Sequence, residues 1–269
     1  MEYQEFISKI DEHARWLTQT TKAHEVLEGV RERHALLFSR LQTSPNTYHN
    51  LRHATEVYER LMLLVWWINK NLLKFKPETI ILMWEAALRH DDSHIWHTYR
   101  QEREEGAEMS NEELSAYIAG NELRWILDEK DIFTIRKLIL STSFWQDSLP
   151  QEDPKYRSYE PRKPAEMMLA FADVWWGAFY GWKYFLDESI RYIHESWDVP
   201  WDISEWILWR KLFVENIIVP RLSSIRKYLK KELATKLDTN ILDILNKLDH
   251  MNNPEELYML ERELYWENR

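Results

Sequence analysis

Half of the ten histidines in this chain lie between residues 49 and 97. Four of them, His49, His53, His90 and His94, stand where helices are predicted to begin or end. His49 and His53 are four residues apart, so in a helix they would share one face. His90 is followed directly by Asp91, and at a helix end an imidazole and a carboxylate can both approach one cation. The stretch therefore predicts a metal-binding site.

A further ligand is predicted from a distant helix. Asp173 is a lone carboxylate in the apolar segment LAFADV, where an unpaired buried charge would be costly and a metal ion would satisfy it. The chain has no cysteine, so any metal must bind to His, Asp or Glu. The predicted ligands are His53, His90, Asp91 and Asp173. Two imidazoles and two carboxylates suit one or two divalent ions such as Mn, Fe, Mg or Zn, with coordination positions left for water and phosphate oxygens.

The order of these four ligands resembles the H…HD…D pattern of the HD superfamily of metal-dependent phosphohydrolases, over roughly residues 45 to 180. The segments YHNLRH at residues 48–53 and NEELSA at residues 111–116 are similar to a bacterial group of predicted HD phosphohydrolases. One departure is the segment STSFW at residues 141–145, where that group would have a Thr followed shortly by His. The resemblance implies an all-α fold, an HD-type helical bundle with the metal in its centre.

The YHNxxHA and HDxxH segments are also similar to the catalytic domain of cyclic nucleotide phosphodiesterases. That resemblance implies that His49 protonates the leaving oxygen, and that His94 lies beside a bridging water or a second metal ion, on the substrate side. We predict that Asp91, or alternatively Asp173, accepts a hydrogen bond from the attacking water. Glu112 is expected to orient a ligand residue, or else to complete a helix cap.

Two arginines are candidates for binding a phosphate group. Arg52 and Arg89 each precede a predicted ligand, and a guanidinium can form two parallel hydrogen bonds with phosphate oxygens. The alternative is that each is an ordinary surface arginine.

Helix is favoured almost everywhere by the composition. Only five Gly and nine Pro occur, helix-forming residues are plentiful, and no segment shows the alternation of a strand. Apolar spacing and capping residues predict helices within 3–41 (broken near residue 20), at 51–69, from 77 to about 91, after 110 or 111, and at 130–143, 165–176, 182–197, 204–231 and 240–252, with a last one after 254. We assign residues 1–189 to a catalytic domain and residues 190–269 to additional C-terminal helices packed on it.

The net charge of −10 argues against a broad nucleic-acid-binding surface, which needs clustered Lys and Arg. A small-molecule phosphate substrate is the expected partner. The longest apolar run, Leu61 to Ile68, is too short to span a bilayer, and the N-terminus has no apolar signal segment. We therefore expect a cytoplasmic protein without membrane contact, and the C-terminal helices offer a surface for forming a homo-oligomer.

Three functional hypotheses remain open. The first is a phosphohydrolase, a phosphomonoesterase or phosphodiesterase, that cleaves a nucleotide or nucleotide-derived signal by metal-activated water. The second is a di-iron oxygenase of the HD type, for which His94 and Glu112 are the candidate extra ligands. The third is a catalytically silent HD scaffold that binds a nucleotide or a partner protein through its aromatic C-terminal helices.

Overall fold

The computed structural model describes residues 21–93, 110–143, 161–174, 177–196 and 203–251. Within these ranges the chain forms eleven α-helices and one π-helical segment, with no strand. The predicted all-α class is therefore confirmed. The chain divides into two compact units, residues 1–173 and residues 174–269. This division does not test the predicted domains by function. The catalytic domain over residues 1–189 and the C-terminal extension over residues 190–269 therefore stay a prediction.

The first unit contains six of the helices. They are α1 (Thr21–Gln42), α2 (Leu51–Trp66), α3 (Pro77–Arg89), α4 (Asn111–Leu123), α5 (Glu129–Leu140) and α6 (Pro164–Val174), the last of which ends one residue into the second unit. Their positions agree with the predicted segments to within a few residues at each end, while the predicted helix before residue 20 lies outside the described residues.

Local side-chain chemistry sets where the helices begin. The Asn50 side chain caps α2 by accepting hydrogen bonds from the first-turn amides, and Asp128 caps α5 in the same way. Pro77 occupies the first turn of α3, where its missing N–H is not needed. Ser110 and Glu113 form a reciprocal capping box at the start of α4. These caps define the first turns of α2 and α4, which carry the predicted site residues His53 and Glu112.

Helix α3 is the centre of the first unit. It packs against α1, α2, α4 and α5, and every residue from Ile80 to Arg89 is buried. A helix that is apolar on all sides is expected to be surrounded by other helices. As a consequence, two of the charged residues of α3, Glu85 and Arg89, are held in the protein interior.

The second unit comprises α7 (Gly177–Tyr180), α8 (Trp182–Ser196), α9 (Ile203–Phe213), a π-helical segment (Val214–Ile218), α10 (Val219–Arg226) and α11 (Lys231–His250). The predicted run over 204–231 is interrupted by the π-helical segment. Pro220 follows that segment and lacks the backbone N–H that an α-helical hydrogen bond would need. This accounts for the local change from α-helical to π-helical hydrogen bonding.

Helix α11 begins earlier than the sequence predicted. Its expected start was residue 240, yet it begins at Lys231. The physical reason is that Leu233, Ala234 and Leu237 are buried and extend the apolar face of the helix toward its N-terminus. Among the described residues, no helix combines the length and apolar character needed to cross a membrane.

Candidate metal centre

The four predicted ligands meet inside the first unit. His53, His90, Asp91 and Asp173 each offer one ligand atom, and these atoms all lie within 4.8 Å of one another. His53 comes from the first turn of α2, His90 and Asp91 from the turn after α3, and Asp173 from the end of α6. All four side chains are buried. We call this group the metal centre, since it could hold a divalent metal ion.

The spacing of the donor atoms matches that of a ligand shell. The Nε2 atoms of His53 and His90 are 3.1 Å apart, and Asp91 Oδ2 lies 3.0 Å from each of them. Asp173 Oδ1 is 3.0 Å from His90 Nε2 and 3.3 Å from His53 Nε2. Ligand atoms about 2.1 Å from a divalent ion lie about 3.0 Å apart in an octahedral shell and about 3.4 Å apart in a tetrahedral one. The residues present therefore fit the ion.

The backbone fixes the orientation of His90. Its Nδ1 lies 2.7 Å from the carbonyl oxygen of Ala87 in the preceding turn. A carbonyl can only accept, so Nδ1 carries a proton and Nε2 faces the metal centre, where it could bind a metal ion on losing its own proton. Metal-binding histidines are commonly oriented by a hydrogen bond of this kind.

The charges of the metal centre favour a cation. Burial lowers the pKa of His90, but the negative charges of Asp91 and Asp173 outweigh it and raise this pKa well above the ordinary value. Burial raises the pKa of Asp173, but His90 and His53 outweigh this effect and hold it well below its usual range. The same field that favours a protonated imidazole would favour a divalent ion.

His49 lies beside the metal centre, although not on a helix. Because Asn50 is the N-terminal cap of α2, His49 belongs to the preceding turn, and the shared helix face on which its pairing was predicted is not formed. Its buried ring is nevertheless 5.7 Å from that of His53, centroid to centroid. The Tyr48 ring contacts both, with centroid distances of 4.5 and 4.6 Å.

Glu112 is also close to the metal centre. It is buried in the first turn of α4, and burial raises its pKa, as do the negative charges of Asp91 and Asp173. The capping box at this helix end is formed by Ser110 and Glu113, because N3 is the position that reaches back to the cap. Glu112 also hydrogen-bonds the side chain of Ser110, so its two predicted roles, orienting a ligand and contributing to the cap, both stay predictions.

The two predicted phosphate-binding arginines differ in exposure. Arg52 is exposed, and its Nε lies 2.8 Å from Glu56 Oε1, one helical turn away. Arg89 is fully buried, so the alternative of a surface arginine is wrong for this residue. Its guanidinium contacts Glu85 at 2.5 Å and Glu122 at 2.6 Å. These contacts give no support to phosphate binding by Arg89, and His94 lies outside the described residues.

The first unit also contains a group of buried and half-buried charged residues, which we call the ion-pair network. Its members come from α1, α3, the turn after α3 and α4, and they are His34, Arg40, Glu85, Arg89, Asp92 and Glu122. Burial alone would raise the pKa of Glu85, but Arg89 and His34 outweigh it and lower this pKa to about 2.

Of the residues in the ion-pair network, the sequence had indicated only Arg89 as a candidate site residue. Glu85 carried a usable signal, since it is a carboxylate within an apolar run, as Asp173 is.

No protein-family model and no curated protein matches this chain. The candidate site therefore stands on its geometry and on the types of its donor atoms. A buried set of two imidazoles and two carboxylates could hold a divalent metal ion, and such a site fits a metalloenzyme.

Proposed function

We propose that this protein is a metal-dependent phosphohydrolase of the HD type that acts on a small phosphate ester, a nucleotide or a nucleotide-derived signal. The observation that carries the proposal is the convergence of four buried donor atoms from His53, His90, Asp91 and Asp173. Their order in the chain and their helical setting agree with the H…HD…D resemblance. Two imidazoles and two carboxylates leave room in an octahedral shell for water and a phosphoryl oxygen.

A divalent ion bound here would supply positive charge to a phosphoryl oxygen and lower the pKa of water. The chain's own residues would do the rest. Asp91 would accept a hydrogen bond from the attacking water, with Asp173 as the alternative acceptor. His49, buried beside His53, would donate a proton to the departing oxygen. Glu112 would orient the ligands from the start of α4.

We propose that Arg52 binds the phosphate group. Its side chain is exposed and sits in the first turn of α2, one residue from His53. The bond between Arg52 and Glu56 is a surface ion pair within one helix, which is worth only about 0.5 kcal/mol. A phosphate group could therefore compete with Glu56 for this guanidinium.

The test is elemental analysis of the purified protein combined with a screen for phosphate release and nucleotide products. Wild type is compared with His90→Ala/Asp91→Ala, and a matched control, His24→Ala/Asp243→Ala, changes an exposed histidine and an exposed aspartate. We expect the site variant to lose metal and activity together, while the control keeps both. A wild type that holds no metal and turns nothing over when Mn, Fe, Mg or Zn is supplied would contradict the proposal and favour the silent scaffold.

A second candidate is oxygen chemistry at a pair of iron ions. The observation that favours it is Glu112, a further buried carboxylate whose pKa responds to the charges of Asp91 and Asp173. Iron content and oxygen consumption would separate this candidate from a hydrolase. Two irons per chain with oxygen uptake and no phosphate release would favour the oxygenase.

A further inference from the structure

The turn that carries His90 and Asp91 is tied to other helices on both sides. Arg89 precedes this pair, and its Nη1 lies 2.6 Å from Glu122 Oε2. Asp92 follows the pair, and its two carboxylate oxygens contact Nε and Nη2 of Arg40, at 2.9 and 2.5 Å. Arg40 in turn contacts Glu122 Oε1 at 2.5 Å.

Glu122 is therefore the point at which both flanks of the turn are joined. Its two carboxylate oxygens hold the guanidiniums of Arg89 and Arg40. Burial would raise the pKa of Glu122, but its bonds and charge interactions with these arginines outweigh that effect and lower it. Glu122 is thus a charged acceptor for two cations, which gives stronger and more directional hydrogen bonds than a neutral acceptor would.

We propose that Glu122 and Arg40 are positioning residues that set the metal affinity of the metal centre by fixing the direction of His90 and Asp91. This inference rests on the metal binding in the proposed function, and it goes beyond it by assigning a role to residues that touch no ligand atom.

The turn needs such support because the helix has ended. Arg89 is the last residue of α3, and the backbone beyond it continues as a turn in which Asp92 N bonds to Arg89 O at 3.1 Å. Ser93 gives a further attachment, since its backbone N lies 3.0 Å from Ser115 Oγ on α4. Side-chain bonds from α1 and α4 thus define the path of the chain through the turn.

Stability alone does not require this arrangement. Well-packed apolar residues in place of a buried ion pair often leave a protein equally stable or more stable. A planar guanidinium, in contrast, holds a carboxylate in one orientation through two parallel bonds, as Arg40 does with Asp92. Orientation matters at this place because the donor atoms of the metal centre are only 3.0 to 3.3 Å apart.

The experiment measures Co²⁺ binding to the full chain after treatment with EDTA. Glu122→Gln keeps the shape of the side chain but removes its charge, and Arg40→Lys keeps the charge but loses the two-pronged contact. We expect each to weaken Co²⁺ binding by about 10- to 100-fold, the usual effect of changing a group that orients a ligand. The visible spectrum of bound Co²⁺ should change as well, whereas a purely structural role would alter only the melting temperature.

The matched control is Asp131→Asn, which changes a carboxylate of the first unit that pairs with Lys22 outside the network. It should bind Co²⁺ as wild type does.

If Glu122→Gln does not fold, the milder variant Arg40→Lys is used to decide the inference. Wild-type affinity and spectrum in the variants, whatever their melting temperature, would overturn the inference, as would a wild type that binds no Co²⁺. Co²⁺ binding weakened in the variants, with no phosphate released by wild type, would overturn the proposed function and leave this inference standing.

Discussion

The first unit contains two buried charged groups that differ in how their charges are balanced. In the ion-pair network, the carboxylates of Glu85, Asp92 and Glu122 contact the guanidiniums of Arg40 and Arg89. The metal centre instead brings two carboxylates and two imidazole nitrogens to a common point. The protein supplies its own cations to the first group, whereas the second group could hold a divalent metal ion. Burial of charge is thus common to both groups, and the convergence of donor atoms is what distinguishes a candidate metal site.

Two neighbouring residues of the same type show the difference most clearly. Asp91 faces His53 and His90 at 3.0 Å, while Asp92 faces Arg40. Successive side chains in a helical turn point about 100° apart, so adjacent aspartates reach different groups. The sequence alone does not reveal that Asp92 belongs to the network.

The largest expected effect follows from removing one ligand of the metal centre. Asp173→Asn should weaken Mn²⁺ binding by more than about 100-fold, because changing even a residue that only orients a ligand costs about 10- to 100-fold. Phosphate release should fall to background with it. Calorimetric titration of EDTA-treated protein measures the affinity, and the exposed variant Asp243→Asn is the control. If Asp173→Asn bound Mn²⁺ as tightly as wild type, the metal centre would not differ from the ion-pair network in binding a metal ion.

The ion-pair network should respond through stability. Glu85→Ala removes one of the two carboxylates that contact the buried Arg89, and also the carboxylate that contacts the buried His34, so the free energy of unfolding should fall by about 3–5 kcal/mol. Urea unfolding of the metal-free protein measures this loss. The exposed pair of Glu28 and Arg31 provides the control, since Glu28→Ala should change stability by less than about 1 kcal/mol. Equal effects of the two substitutions would show that the network is no more than a set of weak ion pairs.

The contribution of Glu85 to stability should also appear when the free energy of unfolding is measured as a function of pH. The pKa of Glu85 is lowered from 4.5 to about 2 in the folded protein, so the unfolded chain binds more protons between these values. Stability from Glu85 is therefore present above about pH 4.5 and is lost as pH falls toward 2, on the order of 3 kcal/mol. Urea unfolding from pH 5 to 2.5 should show a shallower decline in Glu85→Gln than in wild type. Parallel declines would contradict the lowered pKa.

The smallest effect is expected at an ion pair whose cation is exposed. Lys22 lies 3.7 Å from Asp131, and its side chain is 56% exposed, while that of Asp131 is 11% exposed. Lys22→Met should reduce the free energy of unfolding by less than about 1 kcal/mol and leave Mn²⁺ binding unchanged. A loss as large as that of Glu85→Ala, measured by urea unfolding, would show that exposure does not separate weak pairs from strong ones here.

The sequence predicted the ligands because each carried a local signal. His90 and Asp91 are adjacent at a helix end, and Asp173 is an isolated carboxylate among apolar residues. The same reasoning, applied to the apolar run around Glu85, would have found the core of the network. Arg40 and Glu122 gave no such signal. They are charged residues of amphipathic helices, where charge is expected, and they contact each other across 82 positions of the chain, a separation that no helical periodicity can span.

The helices followed from the sequence where caps or prolines mark their ends, as at Pro77 and Ser110. The observed helix bounds differ from the predicted ones where the burial of apolar residues determines where a helix begins. Helix α11 begins at Lys231 because its early apolar residues are buried, and burial depends on partners that are remote in the chain.

The most direct test of the central claim is an anomalous difference map from crystals of the wild-type protein grown with Mn²⁺. We predict a peak about 2.1–2.2 Å from the Nε2 atoms of His53 and His90 and from carboxylate oxygens of Asp91 and Asp173. A map with no peak among these four residues, or with Mn²⁺ bound only elsewhere in the chain, would contradict the account.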